Sequence, residues 1–392
     1  METADGAAVP RLHKLGYLEA TLGEVAESAS FERIRQALLR YAERTGDGSG
    51  FIARLGDQYS FWSPTQEALA ELMRLRFVVT APLPSGRQYV DAYRAASFEL
   101  TDLGQRAYRR LKEGGPEGRA EFLNLITVAL ADTHPGFNDL LQAADKFPIC
   151  VPEYTIERLN NLIGQGSGSD ALADDALVRM TKHWPETIQL PTRQQIAPWI
   201  RNALDRRFSK DRANKPTQKD ILDTVDDAIL GFVAKARDIR LDAISFNVCM
   251  SWASQLAILE DSRYVEGWPG RTIWATGTVS DHSIHRRGFN DAVPDIVAGL
   301  REGFKQIADS VSEARTFGYL PIHRVRAQAA FFGRINLRLV DMVLARIVSG
   351  TIQAPYQVQL ALGRGTPPPK SEPIFTHEGR RFFDMLITEK GA

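Results

Sequence analysis

Asp281, His282 and His285 come first, because His-x-x-His beside a carboxylate is a spacing that can hold a divalent metal. No third His or Cys lies nearby, and Arg286-Arg287 follows directly, so a cation there would meet like charge. A polar loop near phosphates is the better reading. Asp220, Asp223, Asp226 and Asp227 form the second candidate, since a metal-dependent nuclease needs clustered carboxylates plus a Lys. They alternate with the apolar stripe of one helix, which is the pattern of a solvated helix face. Cys150 and Cys249 have no neighbouring base and sit among apolar residues, as structural thiols do. His323 with Arg324 and Arg326 reads as a basic surface knot. Gly164-Gln165-Gly166-Ser167-Gly168-Ser169 lacks the Lys-Ser/Thr of a phosphate loop and follows no strand, so it reads as a flexible linker. No set of nucleophile, base and stabiliser emerges. The expectation is a protein that does not itself catalyse a reaction, with no metal and no cofactor.

Phosphate contact is the chemistry that the cations could do. From Arg201 to Lys219 the chain carries Arg201, Arg206, Arg207, Lys210, Arg212, Lys215 and Lys219 against Asp205 and Asp211. This is the densest basic cluster, and its packing alternative is a solvated helix end and loop. Arg87 and Arg94 lie with Tyr89 and Tyr93 in a polar stretch over 81–96, where a groove-reaching loop and an ordinary solvated loop both fit. Lys plus Arg and Asp plus Glu number 48 each, so a polyanion binder must segregate its charge locally.

The elements that must position these groups centre on Ser63 to Leu111. Ser63-Pro64-Thr65-Gln66 has the form of a capping box, and Leu69, Leu72 and Met73 then mark one helical face. Phe77-Val78-Val79 and Phe98-Glu99-Leu100 read as paired strands. Thr101 can cap a helix carrying Leu103, Ala107 and Leu111. A preceding helix shows Ile34, Leu38 and Leu39. This order, with Phe98-Glu99-Leu100-Thr101-Asp102-Leu103-Gly104 closing the hairpin, resembles a winged helix-turn-helix domain. The resemblance implies a recognition helix at 64–75 whose early residues face base edges, and a wing that touches phosphates or the minor groove. It assigns DNA contact to Thr65, Gln66, Arg74 and Arg76, with Arg87 and Arg94 on the wing. Arg206, Arg207, Lys210, Arg212 and Lys215 join them on electrostatic grounds.

Helical segments are expected at 118–131, 136–146 and 153–163. Thr192-Arg193-Gln194-Gln195 is another capping box, and Lys219 to Ala236 and Leu241 to Leu259 are amphipathic. Arg263 to Gly277 reads as a hairpin, and Gly288 to Thr316 as a helix with Pro294 in its first turn. Arg326–Phe332 and Arg338–Val348 are helical, followed by a strand from Tyr356 and a Pro-rich tip. Phe375-Thr376-His377-Glu378-Gly379 echoes Leu100-Thr101-Asp102-Leu103-Gly104 and predicts a strand leading into a helix with Phe382, Phe383 and Leu386. The ground plan thus recurs over 30–112, 217–280 and 325–388, the middle copy only loosely.

The predicted fold is mainly α with small β-hairpins: tandem winged-helix domains joined by helical segments. The boundaries are a winged-helix domain over 1–115, a helical connector over 116–163, a helical domain with a second winged-helix unit over 164–316, and a C-terminal winged-helix domain over 317–392. Two distant Cys, the lack of an apolar leader and the lack of any run of ~18 apolar residues point to the cytoplasm and no membrane. The expected function is binding of double-stranded DNA, as a regulator or as the recognition subunit of a DNA-processing or antiviral defence complex. Protein partners and a homodimer are compatible with it. Two alternatives stay open: a scaffold resembling, in outline, kleisin subunits that dock an SMC-type ATPase, and a nuclease whose site is assembled from scattered residues.

Overall fold

In the computed structural model of the chain, residues 14–27, 30–45, 62–80, 93, 96–163, 168–208, 216–280, 283–310, 318–362 and 374–390 are described. Fourteen helices are found among them, 65% of these residues are helical, and the strands form a few small antiparallel sheets. No helix among the described residues is long and apolar enough to cross a membrane. The chain divides into two compact units, one formed by Met1–Asn138, Ser245–Leu256 and Asp281–Ile284, the other by Asp139–Ile244, Ala257–Ser280 and His285–Ala392.

The first unit contains α1 (Leu15–Glu27), α2 (Phe31–Thr45), α3 (Trp62–Arg74), the antiparallel pair β1 (Val78–Thr80) and β2 (Phe98–Leu100), α4 (Asp102–Glu113) and α5 (Gly115–Thr133). Leu15, Leu18, Leu22 and Val25 recur at helical spacing on α1 and are buried with Ile34, Leu38, Leu69 and Leu72. α3 starts at Trp62, so Ser63 lies inside the helix rather than at its cap. Tyr93, expected on a solvated wing, is fully buried, with its ring against Phe31 and Phe98.

Next in the chain are α6 (Pro135–Lys146), β3 (Ile149–Pro152), α7 (Ile156–Ile163), α8 (Gly168–Thr181), α9 (Arg193–Phe208), α10 (Gln218–Ala236) and α11 (Ala243–Gln255). β4 (Leu259–Ser262) and β5 (Gly270–Ala275) follow, then β6 (Gly277–Ser280) and β7 (Ser283–Arg286). β5 lies between β3 and β4, with Ile149 opposite Ile273 and Asp261 opposite the same residue. β3 was not expected: four buried residues that follow Pro148 and end in Pro152 show no periodicity to read. At the start of α9, Gln195 Oε1 accepts from Thr192 N at 2.9 Å, the returning half of the expected box. α10 has a complete and unexpected box, Thr217 with Asp220.

The C-terminal stretch of the second unit has its own order. α12 (Phe289–Ser310) is followed by β8 (Leu320–Pro321), α13 (Ile322–Gly333), α14 (Leu337–Val348) and β9 (Tyr356–Ala361). The hairpin of β10 (Phe375–His377) and β11 (Arg380–Phe382) precedes the last strand, β12 (Asp384–Glu389). β12 lies between β8 and β9, with Met385 opposite Leu320 and Leu360. Ile296, Leu300, Val325, Val340, Leu344 and Met385 are in one buried core. α12 begins early enough to put Pro294 inside it rather than in its first turn. The helix expected to carry Phe382 and Leu386 is instead strand.

Candidate nucleic-acid interface

The junction of β2 and α4 depends on two residues. Thr101 Oγ1 accepts from Gly104 N at 3.0 Å and donates to Arg76 O at 2.6 Å. One hydroxyl therefore caps α4 and ties it to the turn between α3 and β1. Gly104 is required by contact: a Cβ there would sit 2.0 Å from Phe77 O. Aromatic-x-Leu-Thr-x-x-Gly thus describes a helix start pressed against a strand.

The expected DNA contacts of this unit fare unevenly. Thr65 is fully buried and presents no hydroxyl to solvent. Gln66 is half-buried. Arg74 Nη1 lies 2.8 Å from Glu71 Oε2, and the other oxygen of Glu71 lies 3.0 Å from His134 Nε2. Glu71 and His134 are both 3% exposed, so Arg74 belongs to a largely buried network that tethers it to its own helix. Arg76 is exposed, with φ 61 at the turn into β1. Arg87 and Arg94 lie outside the described residues, as do Lys210, Arg212, Lys215 and His282.

Arg206 and Arg207 are exposed near the end of α9. They line a groove of about 1100 Å³ together with Asp220, Asp223 and Asp227 of α10. The field there is mixed rather than cationic, which weakens the case for a phosphate track at this place.

Guanidinium groups outside the expected set are found on the C-terminal stretch. On α14, Arg338, Met342 and Arg346 fall at i, i+4 and i+8 on the exposed face. Arg346 lies 4.3 Å from the ring centre of Phe289. Arg380 and Arg381 are exposed on β11. None of these four has a carboxylate partner among the described residues. The signal was present in composition: residues 318–390 hold ten Arg and Lys against five Asp and Glu, in a chain of zero net charge. The N-terminus of α14 is closed. Glu260 Oε2, on β4, accepts from Asn336 Nδ2 and Leu337 N, each at 2.9 Å, and Asn336 Oδ1 accepts from Arg338 N. A buried carboxylate therefore occupies the helix end where an anion would otherwise bind.

The acidic run on α10 is not one solvated face. Asp220 serves the cap of its helix, while Asp226 turns inward and accepts from Tyr154 N at 3.2 Å. Burial, and then the neighbouring carboxylate of Glu153, lift the Asp226 carboxyl to about 7. Glu153 is itself raised by burial, although Arg263 lies 2.7 Å away. No cluster of three or more His, Cys, Asp or Glu side chains among the described residues is placed to hold a metal ion. Burial pushes the Cys150 thiol up to about 12, far from a reactive thiolate. Compared with protein-family models, curated proteins and solved structures, the chain matches none of them.

Proposed function

We propose that this is a non-catalytic winged-helix protein that binds double-stranded DNA, acting as a regulator or as the recognition subunit of a larger complex. The observation that carries the reading is the set Arg338, Arg346, Arg380 and Arg381: exposed, without acidic partners among the described residues, and divided between a helix and a hairpin of one basic segment. Two points of topology support it. The order α12, β8, α13, α14, β9, β12, with β12 between β8 and β9, agrees with the order expected of a winged helix. α13 and α14 are joined by a three-residue turn, as in a helix-turn-helix. The closed N-terminus of α14 means that contact would come from its exposed flank and from the hairpin, largely to phosphates, so sequence preference should be weak. The test is anisotropy with a random-sequence duplex over a range of salt. Affinity should fall steeply with salt, and converting Arg338 and Arg346 to Ala should reduce the log–log slope by roughly 0.9 for each phosphate no longer neutralised. A flat salt response, or the same slope in the variant, would count against the reading.

A second reading, a docking scaffold of the kleisin kind, has its own observation. Ion pairs engage Arg158, Arg193, Arg240, Arg263, Arg271 and Arg301, so much of the positive charge is already neutralised. Winged helices serve as docking modules as well as readers. Light scattering of the purified chain and a pull-down from its native cell separate the two readings: a stoichiometric ATPase partner together with no duplex binding would favour the scaffold.

A further inference from the structure

The groove beside α10 has no part in the reading above, and its chemistry is different. One face of α10 lines it from Asp220 to Lys235, which is four turns or ~22 Å of helix. That length suits a helical segment better than a compact small molecule, whose pocket need not be elongated. Its apolar surface comes from Trp199, Ala203, Ala228, Ile239 and Leu241, and the half-buried indole of Trp199 packs close to Gly231, where a Cβ would lie 3.6 Å from its ring nitrogen.

The rim is acidic. Asp223 and Asp227 are exposed one turn apart on α10, and neither has a hydrogen bond or ion pair among the described residues. Like charges at this spacing repel. Burial and then the charge of Asp223 hold the Asp227 carboxyl above its ordinary range. Asp238 and Asp242 extend the acidic side past the end of the helix. Of the lining cations, Arg240 is held by Asp139 at 2.7 Å, and Lys235 lies 5.1 Å from the ring centre of Trp199. Arg207 acts on Asp220. Arg206 is the remaining cation, and it lies on the α9 side.

We propose that this groove docks a basic amphipathic helix of a partner protein, with its apolar side chains over Trp199 and Gly231 and its Lys or Arg side chains on Asp223 and Asp227. The match is one of charge: an apolar trough beside two carboxylates with no ion pair among the described residues selects a segment that is apolar on one side and cationic on the flank.

The experiment uses the full chain and a labelled amphipathic peptide of roughly 15 residues, Leu on one face and Lys on the flanks, with a counterpart in which each Lys is Glu. The Lys peptide should bind, and binding should weaken with salt. Hydrogen exchange should slow on α9 and α10. Asp223→Asn with Asp227→Asn, both exposed positions, should weaken binding roughly tenfold with unchanged circular dichroism. The Glu peptide should not bind. Equal binding by the double variant, equal binding of the Glu peptide, or no binding of the Lys peptide at low salt overturns the proposal. So does self-association of the chain that the double variant abolishes, because the occupant is then a second copy. Duplex affinity, measured on the same variant, should not fall, which keeps this result separate from the test of DNA binding.

Discussion

Thr101-Asp102-Leu103-Gly104 and Thr376-His377-Glu378-Gly379 share a spacing and adjoin a strand in each case, yet they build different structures. At the first, Thr101 caps α4 and Gly104 presses on Phe77 O. At the second, Glu378 and Gly379 have φ 49 and 73, and His377 pairs with Arg380 across a two-residue turn. Two positive φ values in a two-residue hairpin are the signature of a type I′ turn. A Cβ on Gly379 would meet nothing within 4 Å, so there the glycine serves conformation rather than contact. The residues after the glycine make the choice. Beyond Gly104, Ala107 and Leu111 continue a helical period. Beyond Gly379, Phe382 and Phe383 lead into Met385, Ile387 and Thr388, which form a strand with β9. A short motif therefore reports a chain reversal after a strand, and the next residues select helix or hairpin.

The largest effect expected on this comparison concerns what holds each segment together. In the C-terminal stretch, Arg326 is 1% exposed, bonds both oxygens of Asp341 at 2.5 and 2.6 Å and lies over Phe375 of β10. Burial lifts the Asp341 carboxyl even against this partner. Arg326→Ala should cost about 3 kcal/mol, the low end for a broken buried pair, because the Asp341 side chain keeps 29% exposure and can find water. Denaturant unfolding measures it, and a loss below about 1 kcal/mol would show that the pair is not what anchors the hairpin. Next is Gly104→Ala, which forces a Cβ onto a backbone oxygen and should cost about 1–3 kcal/mol. Gly379→Ala meets only left-handed strain, about 1 kcal/mol. A reversal of that order would mean that the two glycines have been assigned the wrong roles.

Periodicity sets how much of this was legible in the chain. α2, α10, α12 and α14 repeat their apolar residues often enough to be read directly. α1 carries the same signal at Leu15, Leu18, Leu22 and Val25, yet no helix was expected ahead of Ser30. β11 and β12 were mistaken for helix because Phe382, Phe383 and Leu386 satisfy a helical spacing as well as an extended one. For the site, the apolar inward face of α14 dominates its sequence pattern and masks the outward Arg338 and Arg346, while Thr65, marked by its place at the helix start, is buried. The acidic run on α10 was legible as a run and not as four fates. Asp226 supplies the pH test of that point. Its folded carboxyl titrates at about 7 against roughly 4 unfolded, so its share of stability is intact below about pH 4 and is lost as pH rises through 7. Asp226→Asn keeps the acceptor for Tyr154 N and should be more stable than the parent at pH 8 by thermal unfolding, with the advantage gone at pH 4. A constant difference at both pH values would place Asp226 on a solvated face after all.

The smallest effect is also the cleanest contrast between the two motifs. The Thr101 hydroxyl makes two bonds, one capping α4 and one to Arg76 O in the turn after α3, so Thr101→Ala removes a cap and a tether and should cost about 1 kcal/mol. Thr376 is exposed, and among the described residues its hydroxyl reaches only Ile374 O at 3.4 Å, two residues back. Thr376→Ala should therefore change stability by less than about 0.5 kcal/mol. Thr101→Ser should recover most of the stability, because the hydroxyl rather than the methyl group does the capping. If Thr101→Ala and Thr376→Ala cost the same in parallel denaturant titrations, the hydroxyl is not what distinguishes the two starts, and the close approach of Gly104 to Phe77 alone must set the path of α4.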